Sequence, residues 1–148
     1  MITEKTGDLL AADTVALVNA VNCVGVMGKG IALQFKRKFP DNFAAYAAAC
    51  ARGEVHLGQM FVVTEPRLII NFPTKQHWRS RSRLPDIEAG LEDLVRVVRD
   101  MSIKSIAVPA LGSGHGGLPW PSVDALIHEA FAALSDVKVL LYLPFKQD

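Results

Sequence analysis

Asn19-Ala20-Val21-Asn22-Cys23-Val24-Gly25-Val26-Met27-Gly28-Lys29-Gly30 is the stretch on which fold and function turn. Val15-Ala16-Leu17-Val18 before it is short, apolar and β-branched, which predicts a buried strand. Ile31-Ala32-Leu33-Gln34-Phe35 after it opens a helix. A strand passing through glycines into a helix N-terminus leaves backbone N–H groups bare where the helix dipole favours an anion. Gly28, Lys29 and Gly30 are placed for such a contact. Asn22 adds an amide that can donate to and accept from a sugar hydroxyl. The plainer reading is a strand-to-helix turn in which glycine serves geometry alone. Two familiar phosphate motifs do not fit. A P-loop ends in Gly-Lys-Ser/Thr, and Gly30 stands where the metal-binding hydroxyl belongs. A Rossmann fingerprint has a different glycine spacing in its first βαβ unit.

Outward from this stretch, strands and helices alternate. Residues 2–5 predict a short first strand, and Gly7-Asp8-Leu9-Leu10 a turn. Asp8 is there either a solvated or capping carboxylate or a ligand acceptor. The first helix, residues 31–39, stops before Pro40. Asp41 or Asn42 can cap a second helix through Phe43, Tyr46, Ala47 and Cys50, with Gly53 following its end. Lys36-Arg37-Lys38 is a solvated face or a nucleic-acid contact. Residues 60–64 and 68–72 read as strands joined at Glu65-Pro66. A third helix starts at Pro85-Asp86, with Ile87, Leu91, Leu94, Val95, Val98 and Met101 as its apolar face. Glu92 and Arg96 are spaced to pair. A buried strand follows at residues 105–110. A last helix carries Leu118, Val123, Leu126, Ile127, Ala130, Phe131 and Leu134 on one face, with His128 off that stripe. Residues 137–143 form a continuous apolar run like that of a central strand, ending near Tyr142, Pro144 and Phe145.

Two further loops carry chemistry. Pro73-Thr74-Lys75-Gln76-His77-Trp78-Arg79-Ser80-Arg81-Ser82-Arg83 holds Lys75, Arg79, Arg81 and Arg83 and no acid. Arginines hold phosphates and an indole stacks on a base, the usual pair of contacts for single-stranded nucleic acid. The alternative is a polar loop with Trp78 folded onto the core. The second loop, Leu111-Gly112-Ser113-Gly114-His115-Gly116-Gly117-Leu118, has glycines spaced as Gly-x-Gly-x-x-Gly between strand and helix, but comes too late for a Rossmann domain. His115 is either a surface residue or a catalyst.

Composition narrows the class. A chain of 148 residues with half its residues hydrophobic is expected to be one globular domain, residues 1–148. A net charge of +1 confines any basic patch to a local one. Cys23 and Cys50 are too few for a disulfide scaffold and lack metal-ligand spacing, so neither a metal nor a cofactor is expected. No signal-peptide core or membrane-length apolar run is present, which predicts a cytoplasmic protein without a membrane partner. The alternation predicts a three-layer α/β/α domain with a mixed sheet, both Gly-rich loops lying at the strands' carboxyl ends.

The strand ending in Val-Asn-Ala-x-Asn, followed by a Gly-rich loop that opens a helix, resembles the macrodomain family. The fuller string from Val21 to Lys36 resembles its DNA ADP-ribosyl glycohydrolase branch, the DarG antitoxin macrodomains, and the likeness runs almost to the C-terminus. The resemblance implies ADP-ribose as ligand. It implies adenine recognition by Asp8, ligand contacts from Leu9 and Asn19, phosphate contacts from Gly28, Lys29, Gly30 and the loop Gly112 to Gly117, and an adenine pocket lined from among Tyr142, Pro144 and Phe145. It implies Asn22 at the distal ribose and Lys75 as the key catalytic residue. It further implies a substrate of single-stranded DNA ADP-ribosylated on thymidine, read by His77, Trp78, Arg79, Arg81 and Arg83. The expected partner is a DarT-type toxin, engaged through a region outside this stretch, and the macrodomain is expected to be a monomer.

Lys75 can act as a neutral amine on the anomeric carbon or as an acid toward the leaving base. His77, Arg79 and Arg81 are the like charges expected to depress its pKa. Related macrodomains acting on glutamate add an aspartate in the second loop, which this sequence lacks. The other readings are a non-catalytic ADP-ribose reader and a hydrolase of protein glutamyl-ADP-ribose or O-acyl-ADP-ribose.

Overall fold

The computed structural model describes residues 1–144. Its strands are β1 (Ile2–Lys5), β2 (Ala16–Val21), β3 (Phe61–Val63), β4 (Ile69–Pro73), β5 (Ser105–Val108) and β6 (Lys138–Tyr142). Its α-helices are α1 (Gly30–Lys38), α2 (Pro40–Ala51), α3 (Leu84–Asp100) and α4 (Trp120–Phe131), with a short 3-10 turn at Leu9–Ala11. The sheet order is β1-β6-β5-β2-β4-β3. Every neighbouring pair is parallel except β3 with β4. The expected mixed sheet is therefore present.

Strand alternation sorts the core into two faces. Ala16 and Val18 of β2 join Ile70, Phe72, Ile106, Val108, Val139 and Leu141 under α3 and α4. Leu17, Ile69, Ala107 and Leu140 point the other way, to Leu9, Leu10 and Phe35 of α1. Farther along that layer Val21, Cys23 and Met27 pack with Tyr46 and Ala49 of α2. Helices on both faces make the three layers. Where α3 crosses β4, Gly90 lies against the Phe72 ring so closely that a Cβ would collide with it.

Some sequence expectations change. β2 continues to Val21, because Asn19 pairs in register with Asn71 and Val21 with Pro73 of β4. β1, whose partner the sequence leaves open, pairs with β6. α2 begins at Pro40 with Phe39 at the cap. Asn42 is no cap: it is fully buried and bonded to Asn71. Met101 closes α3 as its C-cap and is 41 % exposed, off the apolar face. Arg96 pairs with Asp93 at 2.8 Å and Asp100 at 3.0 Å instead of Glu92. Asp93 is already oriented by the Met60 N–H, which donates to it at 2.7 Å.

Candidate functional site

β1, β6, β5, β2 and β4 run parallel, so the segments leaving their carboxyl ends emerge on one edge of the sheet. In spatial order these are the Asp8 turn, Tyr142, the Gly112–Gly117 loop, the Asn22–Gly30 loop, and Lys75. The sites named from sequence thus fall along one track. It crosses four strand spacings, about 19 Å.

At one end, Asp8 caps the 3-10 turn by accepting from the Leu10 N–H at 3.0 Å through one carboxylate oxygen. The capping role is therefore real, and the exposed carboxylate keeps a second oxygen for a ligand donor. Leu9, expected at the ligand, has its side chain buried in the core, so only its backbone faces that role. The Tyr142 hydroxyl is held above its ordinary pKa by burial and then by the Asp8 charge, and Tyr142 pairs in register with Lys5, three residues before Asp8. Pro144 follows; Phe145 lies outside the described residues.

In the middle, the two Gly-rich loops meet. A Cβ on Gly30 would touch His115 Cδ2 at 3.4 Å and Nε2 at 3.6 Å. His115 therefore stands across the N-terminus of α1. That helix has no side-chain cap, so its first N–H groups remain for an anion. Gly30 has φ +56°, a left-handed backbone that glycine adopts without strain. In the second loop the Ser113 N–H donates to Ala110 O, that of Leu118 to Gly112 O and that of Gly117 to Gly114 O. Gly114, His115 and Gly116 N–H groups take no backbone partner among the described residues. Gly112 is buried beneath Leu118 and serves the turn.

Asn22 is 5 % exposed and its amide braces the first loop. Its Nδ2 donates to Val26 O at 2.8 Å. Its Oδ1 accepts from the Val24 N–H at 3.0 Å and the Tyr46 hydroxyl at 2.7 Å, with the Val26 N–H farther off at 3.4 Å. One Nδ2 hydrogen remains for a ligand. Asn19 is a correction: it is fully buried and cannot touch a ligand. It donates to Asn71 Oδ1 at 3.2 Å, and Asn71 and Asn42 exchange bonds of 2.9 and 3.2 Å. This buried trio ties β2, β4 and α2 together. Asn71, Asn42 and Tyr46 were not assigned from sequence, although Asn71 in Ile-Ile-Asn-Phe was a visible signal: a lone amide in an apolar strand must be bonded.

At the other end lies Lys75. The Thr74 N–H donates to Val21 O at 2.8 Å and the Cys23 N–H to Gln76 O at 3.1 Å. These bonds prolong the β2–β4 pairing past the strand end and set Lys75 beside Asn22. The Lys75 ammonium is half-buried, and its pKa is lowered first by burial and then by the Lys29 charge. The expected cause, His77, Arg79 and Arg81, is thus replaced by desolvation and Lys29. Those loop cations point away into solvent or onto Trp78, whereas Lys29 sits at the adjacent start of α1.

Beyond Lys75, a turn closes with the Ser80 N–H on His77 O at 2.9 Å and the Arg79 N–H on His77 Nδ1 at 3.1 Å. Trp78 is 42 % exposed and not folded onto the core. Arg79 Cζ lies 4.5 Å over its ring, a contact worth about 0.5–1 kcal/mol at an exposed site. The His77 and Trp78 ring centroids are 5.1 Å apart. Arg81 and Arg83 are exposed. Ser82, also unassigned from sequence, is buried and donates its N–H to Gly116 O at 3.0 Å, tying this loop to the second Gly-rich loop. A Cβ on Gly116 would collide with the Ser82 hydroxyl, so only glycine allows this closure.

Other candidates are absorbed by structure. Lys38 donates to Leu10 O at 3.1 Å and Lys36 lies 4.5 Å from the Phe43 ring, so the charge run is partly tied down. Burial pushes the Cys23 thiol up to about 11, which leaves it protonated at neutral pH and no nucleophile. Glu4, Asp124 and His128 bring ligand atoms within 4.8 Å of one another, and His128 pairs with Asp124 at 3.2 Å along α4. No helix among the described residues is long and apolar enough to cross a membrane.

A three-layer domain with an anion-ready helix start, a facing glycine loop and a carboxylate at the far end defines a class of nucleotide-binding α/β domain, and the Macro domain profile matches residues 18–127. The chain belongs to the macro domain family. Within it, the chain is similar to DarG macrodomains. The macrodomain of Mycobacterium tuberculosis DarG superposes with a TM-score of 0.96 at 58 % identity, covering 98 % of this chain and 99 % of that one. Thermosipho africanus DarTG in complex with ADP-ribose superposes with a TM-score of 0.93 at 34 % identity, over 99 % of this chain and 42 % of that one. The DNA ADP-ribosyl glycohydrolase of Mycobacterium tuberculosis is 59 % identical over 97 % of this chain. The chain spans 42 % of that relative's length.

Proposed function

We propose that this macrodomain removes ADP-ribose from thymidine in single-stranded DNA and so acts as antitoxin to a DNA ADP-ribosyltransferase. The observation that carries the reading is Lys75: a half-desolvated amine with a lowered pKa, fixed by sheet hydrogen bonds at the end of the track opposite Asp8. The relatives named DNA ADP-ribosyl glycohydrolase and the ADP-ribose complex of the Thermosipho protein support it.

On this reading ADP-ribose lies along the track. The free Asp8 oxygen accepts from the adenine amino group. The N–H groups at Gly28 to Gly30 and at Gly114 to Gly116 face the diphosphate from two sides, with His115 closing over the α1 start. The distal ribose reaches the spare hydrogen of Asn22 and the Lys75 amine. The bond to break joins the anomeric carbon to a thymine ring nitrogen, and its electron pair leaves with the base. As a free amine, Lys75 bonds to that carbon, its proton passes to the departing base, and water later displaces the lysine. As an ammonium, it gives its proton to the base while water adds to the carbon and returns a proton to the amine. The depressed pKa serves both, raising the free-amine fraction in one and the acid strength in the other. Borohydride trapping during turnover separates them. The adduct is captured only on the first route.

The test is to incubate the protein in parallel with thymidine-ADP-ribosylated oligonucleotide and with glutamate-ADP-ribosylated protein. Release of ADP-ribose from the DNA supports the reading. Release only from protein, or binding of ADP-ribose without release from either, refutes it.

A further inference from the structure

Lys75, Arg79, Arg81 and Arg83 take no salt-bridge partner among the described residues. Arg79 is nevertheless held in place. Its backbone is tied to His77 Nδ1, its guanidinium lies 4.5 Å over the Trp78 ring, and the loop is anchored farther on through Ser82 to Gly116. Sequence logic makes the indole the base-stacking surface and the arginines the phosphate contacts. The geometry divides the work differently, because Arg79 already occupies one face of the Trp78 ring and the His77 ring lies 5.1 Å from it.

Resting on the DNA reading above, we propose that the Arg79 guanidinium, backed by the Trp78 ring, is a stacking platform for an unpaired base flanking the modified thymidine. A guanidinium is planar and weakly hydrated, and it stacks on the flat face of a base while its edge still donates. The indole beneath holds that plane and screens one side of it from water. Every base has a flat face, so the platform accepts the flanking nucleotide whatever its identity. It requires a base released from a duplex stack, which makes the site selective for single strands without reading their sequence. Phosphate tracking then falls to Arg81 and Arg83.

The test uses unmodified ten-nucleotide strands: oligothymidylate, and an abasic strand of the same length. Affinity is measured at several salt concentrations for wild type, Arg79→Lys and Trp78→Leu, with thermal melting to verify folding. Wild type should prefer the base-bearing strand by about fivefold or more, the lower end for one stacked base. Arg79→Lys keeps the charge and loses the plane, so the preference should fall to near unity with the salt slope unchanged. Retained preference in Arg79→Lys overturns the proposal, and if Trp78→Leu then abolishes it, the indole is the platform. Absence of any preference in wild type overturns it as well. Failure of the glycohydrolase reading appears elsewhere, as no release of ADP-ribose by wild type from modified DNA.

Discussion

Asn22→Ala separates a brace from a ligand contact. The amide makes bonds of 2.7, 2.8 and 3.0 Å to the Tyr46 hydroxyl, Val26 O and the Val24 N–H. The 3.4 Å approach of the Val26 N–H is too long to count fully. At about 1 kcal/mol net for each short bond, the loss is about 3 kcal/mol. Tyr46 keeps a second acceptor in Asn22 O at 2.8 Å, so the hydroxyl is not orphaned and the figure does not grow. The unfolding entropy of a chain this long is roughly 0.3 kcal/mol/K, so Tm should fall by about 10 °C. Scanning calorimetry reads the shift, and titration with ADP-ribose at a temperature where the variant is folded reads the affinity. Asn22→Asp keeps the acceptor oxygen and should recover part of the lost stability. A Tm within about 2 °C of wild type, together with collapsed ADP-ribose affinity, would refute the bracing role and make Asn22 a ligand contact alone.

Lys75→Ala should lower release of ADP-ribose from thymidine by on the order of a hundredfold or more, while calorimetry shows ADP-ribose affinity changed by a few-fold, about 1 kcal/mol or less. Near-normal turnover would remove Lys75 from the chemistry. Lys29→Met takes away the second cause of the lowered Lys75 pKa and leaves burial in place, so that pKa should rise part of the way back. The limb of the pH–rate profile that reports Lys75 should then move to higher pH. An unmoved limb would mean that Lys29 does not act on it. Arg81→Ala with Arg83→Ala should flatten the log–log salt dependence of single-strand binding by about 1.4, roughly 0.7 for each phosphate no longer neutralised. An unchanged slope would show that these residues do not follow the strand.

Layer order was readable because the signals were local. The β-branched run before Asn19, the amphipathic span beginning at Pro85 and the apolar run at Val139 to Leu141 each name their element. The partner of β1 was not readable, since nothing near Ile2 encodes pairing with Val139. Within the site, Gly28 to Gly30 and Lys75 stand out by residue type. Asn19 misled because an asparagine before a glycine loop has the same letters whether its side chain faces the ligand or the core. One step of strand alternation decides that, and β2 continues through it. The charge acting on Lys75 was sought among its sequence neighbours, whereas Lys29 acts from another loop across space. Ser82 gave no signal, because its role exists only once Gly116 lies against it.

The seam between β1 and β6 has a temporal meaning. Asp8 and Tyr142 meet only when the first strand has found the last, after every other strand has left the ribosome. The β2–β4 pairing that positions Lys75 spans far less chain. The two ends of one groove therefore depend on very different lengths of chain. A product ending before β6 lacks the seat for a nucleobase, and with it Val139 and Leu141 from the core beneath β2 and β4. Occupancy of the complete groove reports that the domain has been made to its final strand.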